Sequence, residues 1–222
     1  MPLIGAGINA IWNDIAPEMR DEFFEWHPRE HMQERMGIPG FRRGRRYIAV
    51  GEGVEFLTLY ETETPETLVS KAYFDRLSEP TEWSLKVLPF FRNNMRGICR
   101  VRFSEGYADG GNLLALRYAA DPEDTPDLSP LLSPLLSLPG VVGSHEFLCD
   151  PVLSSGNTSL QRGRMIGLPD RIILVEGSSI AALEPVLETL VNGGGLATFI
   201  DPQDMQSAFY TLEYQVLAST EN

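Results

Sequence analysis

Ile38-Pro39-Gly40 recurs as Leu138-Pro139-Gly140, and each copy closes an apolar helical stretch and opens a strand. A turn repeated with the same elements on either side points to two copies of one folding unit. Copy one reads as strand (Gly7 to Trp12), helix (about Pro17 to Met36), strand (Arg42 to Val50), strand (Glu55 to Glu61), helix (about Pro65 to Leu77) and strand (Gly97 to Phe103). Copy two reads as strand (Leu113 to Tyr118), helix (about Leu128 to Leu138), strand (Ser144 to Leu148), strand (Arg171 to Glu176), helix (about Ile180 to Val191) and strand (Phe209 to Val216). Two-residue alternation marks the strands and three-to-four spacing the helices. Matched positions agree in character: Tyr47 with Phe147, Ile48 with Leu148, and Leu59-Tyr60-Glu61 with Leu174-Val175-Glu176.

The order βαββαβ, twice, predicts an α+β fold of tandem duplicated ferredoxin-like units. Each unit makes a four-stranded antiparallel sheet with both helices on one face, so the other face must be covered. The second copy covers it, giving two antiparallel sheets packed into a pseudo-dimeric α+β barrel with a cavity between them. The Gly- and Asp-rich passage Glu105 to Asn112 is the linker, and it divides the chain into residues 1–105 and 106–222 of one compact body.

The net charge of −13 argues against a nucleic-acid partner, whose phosphates this surface would repel. The chain shows no basic-then-apolar leader and no apolar run of bilayer length, so the expectation is a cytoplasmic protein without a membrane partner. Cys99 and Cys149 lie in predicted strands without metal-type spacing and read as two buried free thiols. Asn157-Thr158-Ser159 matches a glycosylation acceptor, which has no meaning without a secretion signal.

Polar chemistry concentrates in Glu22 to Tyr47, which holds two of the three histidines, Trp26, Glu30, the four closely spaced arginines Arg42, Arg43, Arg45 and Arg46, and Tyr47. The matching stretch of copy two is almost wholly apolar apart from His145, so one functional site per chain is expected, in copy one. On an unbroken helix Met19, Phe23 and Trp26 form a stripe, with Glu30 beneath it and His27 and His31 along its edge. A carboxylate partly desolvated beside two imidazoles suits general acid or base work. Pro28 offers a second phase: it cannot donate to the preceding turn, and a new segment starting there makes Glu30 an ordinary first-turn acid.

His27-Pro28-Arg29-Glu30-His31 also fits H-x-x-E-H, the inverted zinc-hydrolase pattern, but no third ligand is identifiable. A looser metal site built on His27, His31 and a carboxylate is the remaining metal reading. In the next strand, alternation sends Arg43, Arg45 and Tyr47 to one face and Arg42, Arg46 and Ile48 to the other. The Arg45 and Tyr47 set should face the cavity, where an arginine meets either an anionic substrate or a structural carboxylate such as Glu30 or Glu61. Tyr60 and Tyr73 are further sources of hydroxyls, or aromatic packing. Gly5 to Ala10 and Gly193-Gly194-Gly195 lack the strand-then-helix context that a phosphate loop needs.

Trp26, His31, Ile38-Pro39-Gly40-Phe41 and Tyr47, within a duplicated βαββαβ unit, resemble the dimeric α+β-barrel superfamily near its EthD-like and uncharacterised tandem members. The inserted His27-Pro28-Arg29-Glu30 departs from that pattern. The resemblance implies fused halves that imitate a dimer, so an external oligomer is not needed to close the barrel. It also implies chemistry ranging over cofactor-free oxygenation, isomerisation, lyase activity and haem enzymes.

The resulting expectation is a small-molecule-binding α+β barrel acting on an organic, anionic ligand. In its enzyme form His31 moves a proton, Glu30 or His27 orients it, Arg45 anchors the anion, and Tyr47 donates a hydrogen bond, with Trp26, Tyr60 and Arg43 completing the pocket. No cofactor is required, although His31 offers an iron ligand for haem. A non-catalytic ligand-binding or protein-interaction module is the competing class.

Overall fold

The computed structural model describes residues 3–119, 126–155, 169–197, 199 and 205–219. Its strands are β1 (Gly7–Ile15), β2 (Phe41–Val50), β3 (Phe56–Thr62), β4 (Phe91–Gly106), β5 (Asn112–Tyr118), β6 (Val141–Cys149), β7 (Arg171–Gly177) and β8 (Met205–Leu217). They close into an antiparallel barrel in the order β1-β3-β2-β8-β5-β7-β6-β4. Read as β4-β1-β3-β2 followed by β8-β5-β7-β6, that is one ferredoxin-like order written twice. The halves join at two seams, β2 with β8 and β4 with β6. Closure pairs the outer strand of each sheet, so these edges offer no template for another chain.

The repeated turn has a backbone cause. Gly40 and Gly140 adopt φ of 88° and 82°, a region L side chains rarely enter. Each then accepts a hydrogen bond at its carbonyl, from Glu63 and Ser178 respectively, at 2.8 Å in both cases. Even the strand irregularities repeat, since the pairing register shifts between Phe41 and Arg43 and again between Val141 and Gly143.

The first helical run is continuous: a 3-10 turn Pro17–Met19, α1 (Arg20–Trp26), a π-helical segment His27–His31 and α2 (Met32–Met36). Pro28 has no N–H to give the preceding turn, and its ring crowds that turn. The helix accommodates it by widening, so that the Met32 N–H bonds to the His27 carbonyl five residues back. The two phases left open by the sequence thus resolve into one unbroken helix with a widened middle turn.

Further along, a 3-10 turn Pro65–Val69 leads into α3 (Lys71–Ser78), and α4 (Glu82–Val87) follows, a helix the sequence reading left out. The second half carries α5 (Ser129–Leu132), α6 (Pro151–Ser155) and α7 (Ile180–Leu187). Inward side chains from both halves, among them Ile8, Ala10, Leu57, Leu59, Leu113 and Leu174, form the core inside the barrel. Outside the wall, Met32, Met36, Tyr60 and Tyr73 pack one layer, and Phe23, Trp26, Phe56 and Val87 another.

Cys99 and Cys149 are not free thiols. The β4/β6 seam sets them directly opposite one another, and they are joined as a disulfide. Sequence spacing gave no sign of this because the pairing depends on which strands close the barrel. Asn157-Thr158-Ser159 lies outside the described residues.

Candidate functional site

Strand β2 splits the expected site between two compartments. Tyr47 belongs to the core inside the barrel, whereas Ile48 packs against the helical layer outside. Arg43 and Arg45 share the inward face with Tyr47, as alternation requires. Trp26, His27, Glu30 and His31 lie beyond the wall, between the first helical run and the sheet or α4. Tyr60 also faces outward, in the layer that holds Met32, and so stands across the wall from Tyr47. A pocket combining His31 or Glu30 with Arg45 and Tyr47 therefore does not form, because a sheet one backbone thick separates them.

In the outer compartment His27 is only 4% exposed. Its Nδ1 is hydrogen-bonded to the Tyr214 hydroxyl of β8, which ties the helix of one half to a strand of the other. Burial, with Arg46 and Arg35 nearby, holds the imidazole well below its ordinary value of 6.5, so it is neutral at pH 7. Burial likewise raises the Tyr214 phenol. The Arg46 guanidinium sits 4.8 Å from the Tyr214 ring and 4.9 Å from the Phe23 ring, and its Nε donates to Glu213 at 2.7 Å. Glu30 accepts from Trp26 Nε1 at 3.0 Å and from the Thr81 hydroxyl at 2.5 Å. Thr81 in turn caps α4 through the Ser84 N–H, so Glu30 fastens the π segment to α4.

Inside the barrel, Arg45 and Glu176 are each 1% exposed. Arg45 spans the two halves, with Nη1 2.8 Å from Glu176 and Nη2 3.2 Å from Glu61. Arg43 Nε donates to Glu61 at 2.7 Å, and its Nη1 reaches Asp109 of the linker at 2.8 Å. The Ile4 N–H closes on Glu61 at 2.8 Å, and the Gly110 N–H on Glu176 at 2.7 Å, each from the segment just before the first strand of its copy. His145, the counterpart of Arg45, stands 3.5 Å from Glu176. Burial alone would raise the Glu176 carboxyl, but His145 and Arg45 together hold it at about 2. This network pairs both arginines with carboxylates from the chain itself, so Arg43 and Arg45 plug one end of the barrel.

Among the described residues, the other end is open. A cavity of about 420 Å³ is lined by Trp12, Val54, Ala115, Arg117, Ala208 and Tyr210, with Glu52 and Gly53 of the β2–β3 hairpin on its rim. Gly53 holds φ at 138°, and a side chain there would come within 3.1 Å of Ala208, so the hairpin closes over the mouth only with glycine at this point. The Arg117 guanidinium stacks on the Trp12 ring at 4.9 Å. Burial pushes the Tyr210 phenol up to about 12, and its hydroxyl donates to the Val54 carbonyl at 3.0 Å.

Sequence reasoning missed Trp12, Arg117, Tyr210 and Tyr214. Only the first two left a signal: they are the inward residues at matching steps of β1 and β5, visible once the copies are aligned residue by residue.

Among the described residues, no group of three or more His, Cys, Asp or Glu side chains is arranged to hold a metal ion. The outer histidines are packed into the helical layer. His31 lies against Trp26 with ring centroids 4.5 Å apart and against His27 at 5.3 Å, while His27 is engaged by Tyr214. Among the described residues no helix is long and apolar enough to cross a membrane.

No protein-family profile matches the chain, and no curated protein matches its sequence. Solved structures do match. An anthrone oxidase-like protein superposes with a TM-score of 0.62 at 11% identity, covering 97% of this chain and 94% of that one. A proposed monooxygenase from Fusobacterium nucleatum gives 0.60 at 6% identity, covering 97% and 96%. Another from Lactobacillus acidophilus gives 0.55 at 11% identity, covering 96% and 97%. Identities this low speak for the fold alone, and together with the strand order they identify it: the chain has the dimeric α+β-barrel fold, with both ferredoxin-like units on one polypeptide.

Proposed function

We propose that this chain is a small-molecule-binding protein and that the cavity at the open end of its barrel is the binding site. The observation that carries the reading is the cavity itself. Its volume of about 420 Å³ falls in the ~300–1,000 Å³ range of small-ligand pockets. Its lining is more polar than is usual for such pockets, with Glu52, Arg117, Gln206 and Ser207 beside the apolar wall of Trp12, Val54, Ala115 and Ala208, which suits a polar or charged ligand. The test is a fluorescence and thermal-shift screen of aromatic compounds against the wild type and Ala208→Trp, which fills the mouth. Ligands that stabilise the wild type and not the filled variant support the site; equal stabilisation of both would refute it.

A second reading, an enzyme, draws on the outer compartment. A buried neutral imidazole bonded to a tyrosine hydroxyl, on a π-helical turn, is a pair able to pass a proton. Cofactor-independent oxygenation, isomerisation or lyase chemistry on an organic acid, with His27 and His31 as the proton-handling groups, accords with the EthD-like resemblance and with oxidase-like and monooxygenase structural neighbours. Here the substrate would meet the outer face, so His27→Gln and Tyr214→Phe should each abolish turnover, while Ala208→Trp, which fills the barrel mouth on the other side of the sheet, should leave it unchanged.

A further inference from the structure

Arg117 is the group at the barrel mouth that the described residues leave without a carboxylate. Its Nε donates to Gln206 at 2.9 Å, but Nη1 is buried without a hydrogen-bond partner. Among the described residues Arg117 forms no ion pair, whereas the buried guanidiniums of Arg43, Arg45 and Arg46 each hold a carboxylate at 2.7 to 2.8 Å. Burial works against the Arg117 charge, offset only by the neighbouring Tyr210. None of the carboxylates among the described residues lies at contact distance from Arg117.

The partner the chain does supply is aromatic. Trp12 and Arg117 occupy corresponding steps of β1 and β5, five residues after Gly7 and Asn112, which hold matching places in the β1/β3 and β5/β7 ladders. The indole thus fixes one face of the guanidinium, Gln206 takes Nε, and the Nη1/Nη2 edge is left for a bidentate acceptor.

Resting on the reading of this cavity as the binding site, we infer that its ligand is a planar organic anion, an aromatic or conjugated carboxylate. The carboxylate pairs with Arg117, and the ring lies along Trp12 and Tyr210. Glu52, exposed on the rim, sets the sign of a second effect: it repels an anion entering the mouth and is indifferent to a neutral molecule of the same shape.

The experiment is isothermal titration of 2-naphthoate and 2-naphthamide into the wild type, Arg117→Gln, Glu52→Gln and Ala208→Trp. The expected result is that the acid binds more tightly than the amide. Arg117→Gln should then weaken the acid about ten-fold or more and leave the amide unchanged, and Glu52→Gln, at an exposed hairpin tip, should tighten the acid about two- to five-fold. If acid and amide bind alike, neither responds to the charge changes, and Ala208→Trp abolishes both, the anion inference is overturned while the cavity reading stands. If neither probe binds the wild type, or binding survives Ala208→Trp, both are overturned.

Discussion

Arg45 and Glu176 come from opposite halves of the chain, 131 positions apart, and meet at 2.8 Å inside the barrel with almost no exposure to water. Removing one member of such a pair leaves a charge buried and uncompensated, at a cost of about 3–5 kcal/mol. Arg45→Met should lower the unfolding free energy by that amount in urea denaturation. Arg45→Met/Glu176→Met should recover much of it. Equal losses in the single and double variants would show that the pair does not act as a unit.

The same carboxylate fixes an acid limit. Glu176 is held at about 2 against an ordinary 4.5, so the folded state binds its proton less readily than the unfolded chain does. The associated stability is complete above about pH 4.5 and is lost as pH falls toward 2, on the order of 3 kcal/mol in all. His27 has the same sign in a higher window: its value is also depressed, so its contribution begins to fall as pH drops below 6.5. His27→Gln should flatten the stability profile between about pH 6.5 and 4.5 and leave the lower limb in place. Loss of the lower limb in that variant would count against assigning it to Glu176.

Tyr214→Phe removes the hydroxyl that engages His27 across the β2/β8 seam. A buried nitrogen losing its partner costs about 1–3 kcal/mol, so the melting temperature should drop while the helical circular dichroism persists. An unchanged melting temperature would mean that water replaces the hydroxyl at no cost.

Cutting the chain within Glu105 to Asn112 would free β2, β4, β6 and β8 as sheet edges and expose the interior core. The separated halves should self-associate or precipitate, as exposed apolar edge strands do. Sedimentation of the purified fragments decides this, and two stable monomers would be the contrary result.

What could be read in the chain was local. Gly40 and Gly140 betray their turns because only glycine is comfortable at those angles, and alternation in β2 correctly sends Arg45 and Tyr47 inward. What could not be read was which side of that wall each neighbour takes. Ring closure decides it, through β2/β8 and β4/β6 pairings between distant residues, and so Cys99 finds Cys149 and His27 finds Tyr214. The dense polar stretch Glu22 to Tyr47 drew attention to copy one, yet it is sequestered in two compartments. The cavity instead takes a single arginine from copy two, conspicuous only beside Trp12.

The matched steps of β1 and β5 bring Trp12 and Arg117 together at the barrel's open end. A homodimer of one such unit would have to place the same residue twice at that end: two indoles with no charge to offer, or two guanidiniums in mutual repulsion. A single polypeptide is free of that constraint, and its two genetic copies can diverge residue by residue. Joining the halves therefore did more than hold a barrel shut; it allowed a symmetric vestibule to become a polarised one, apolar on one wall and cationic on the other.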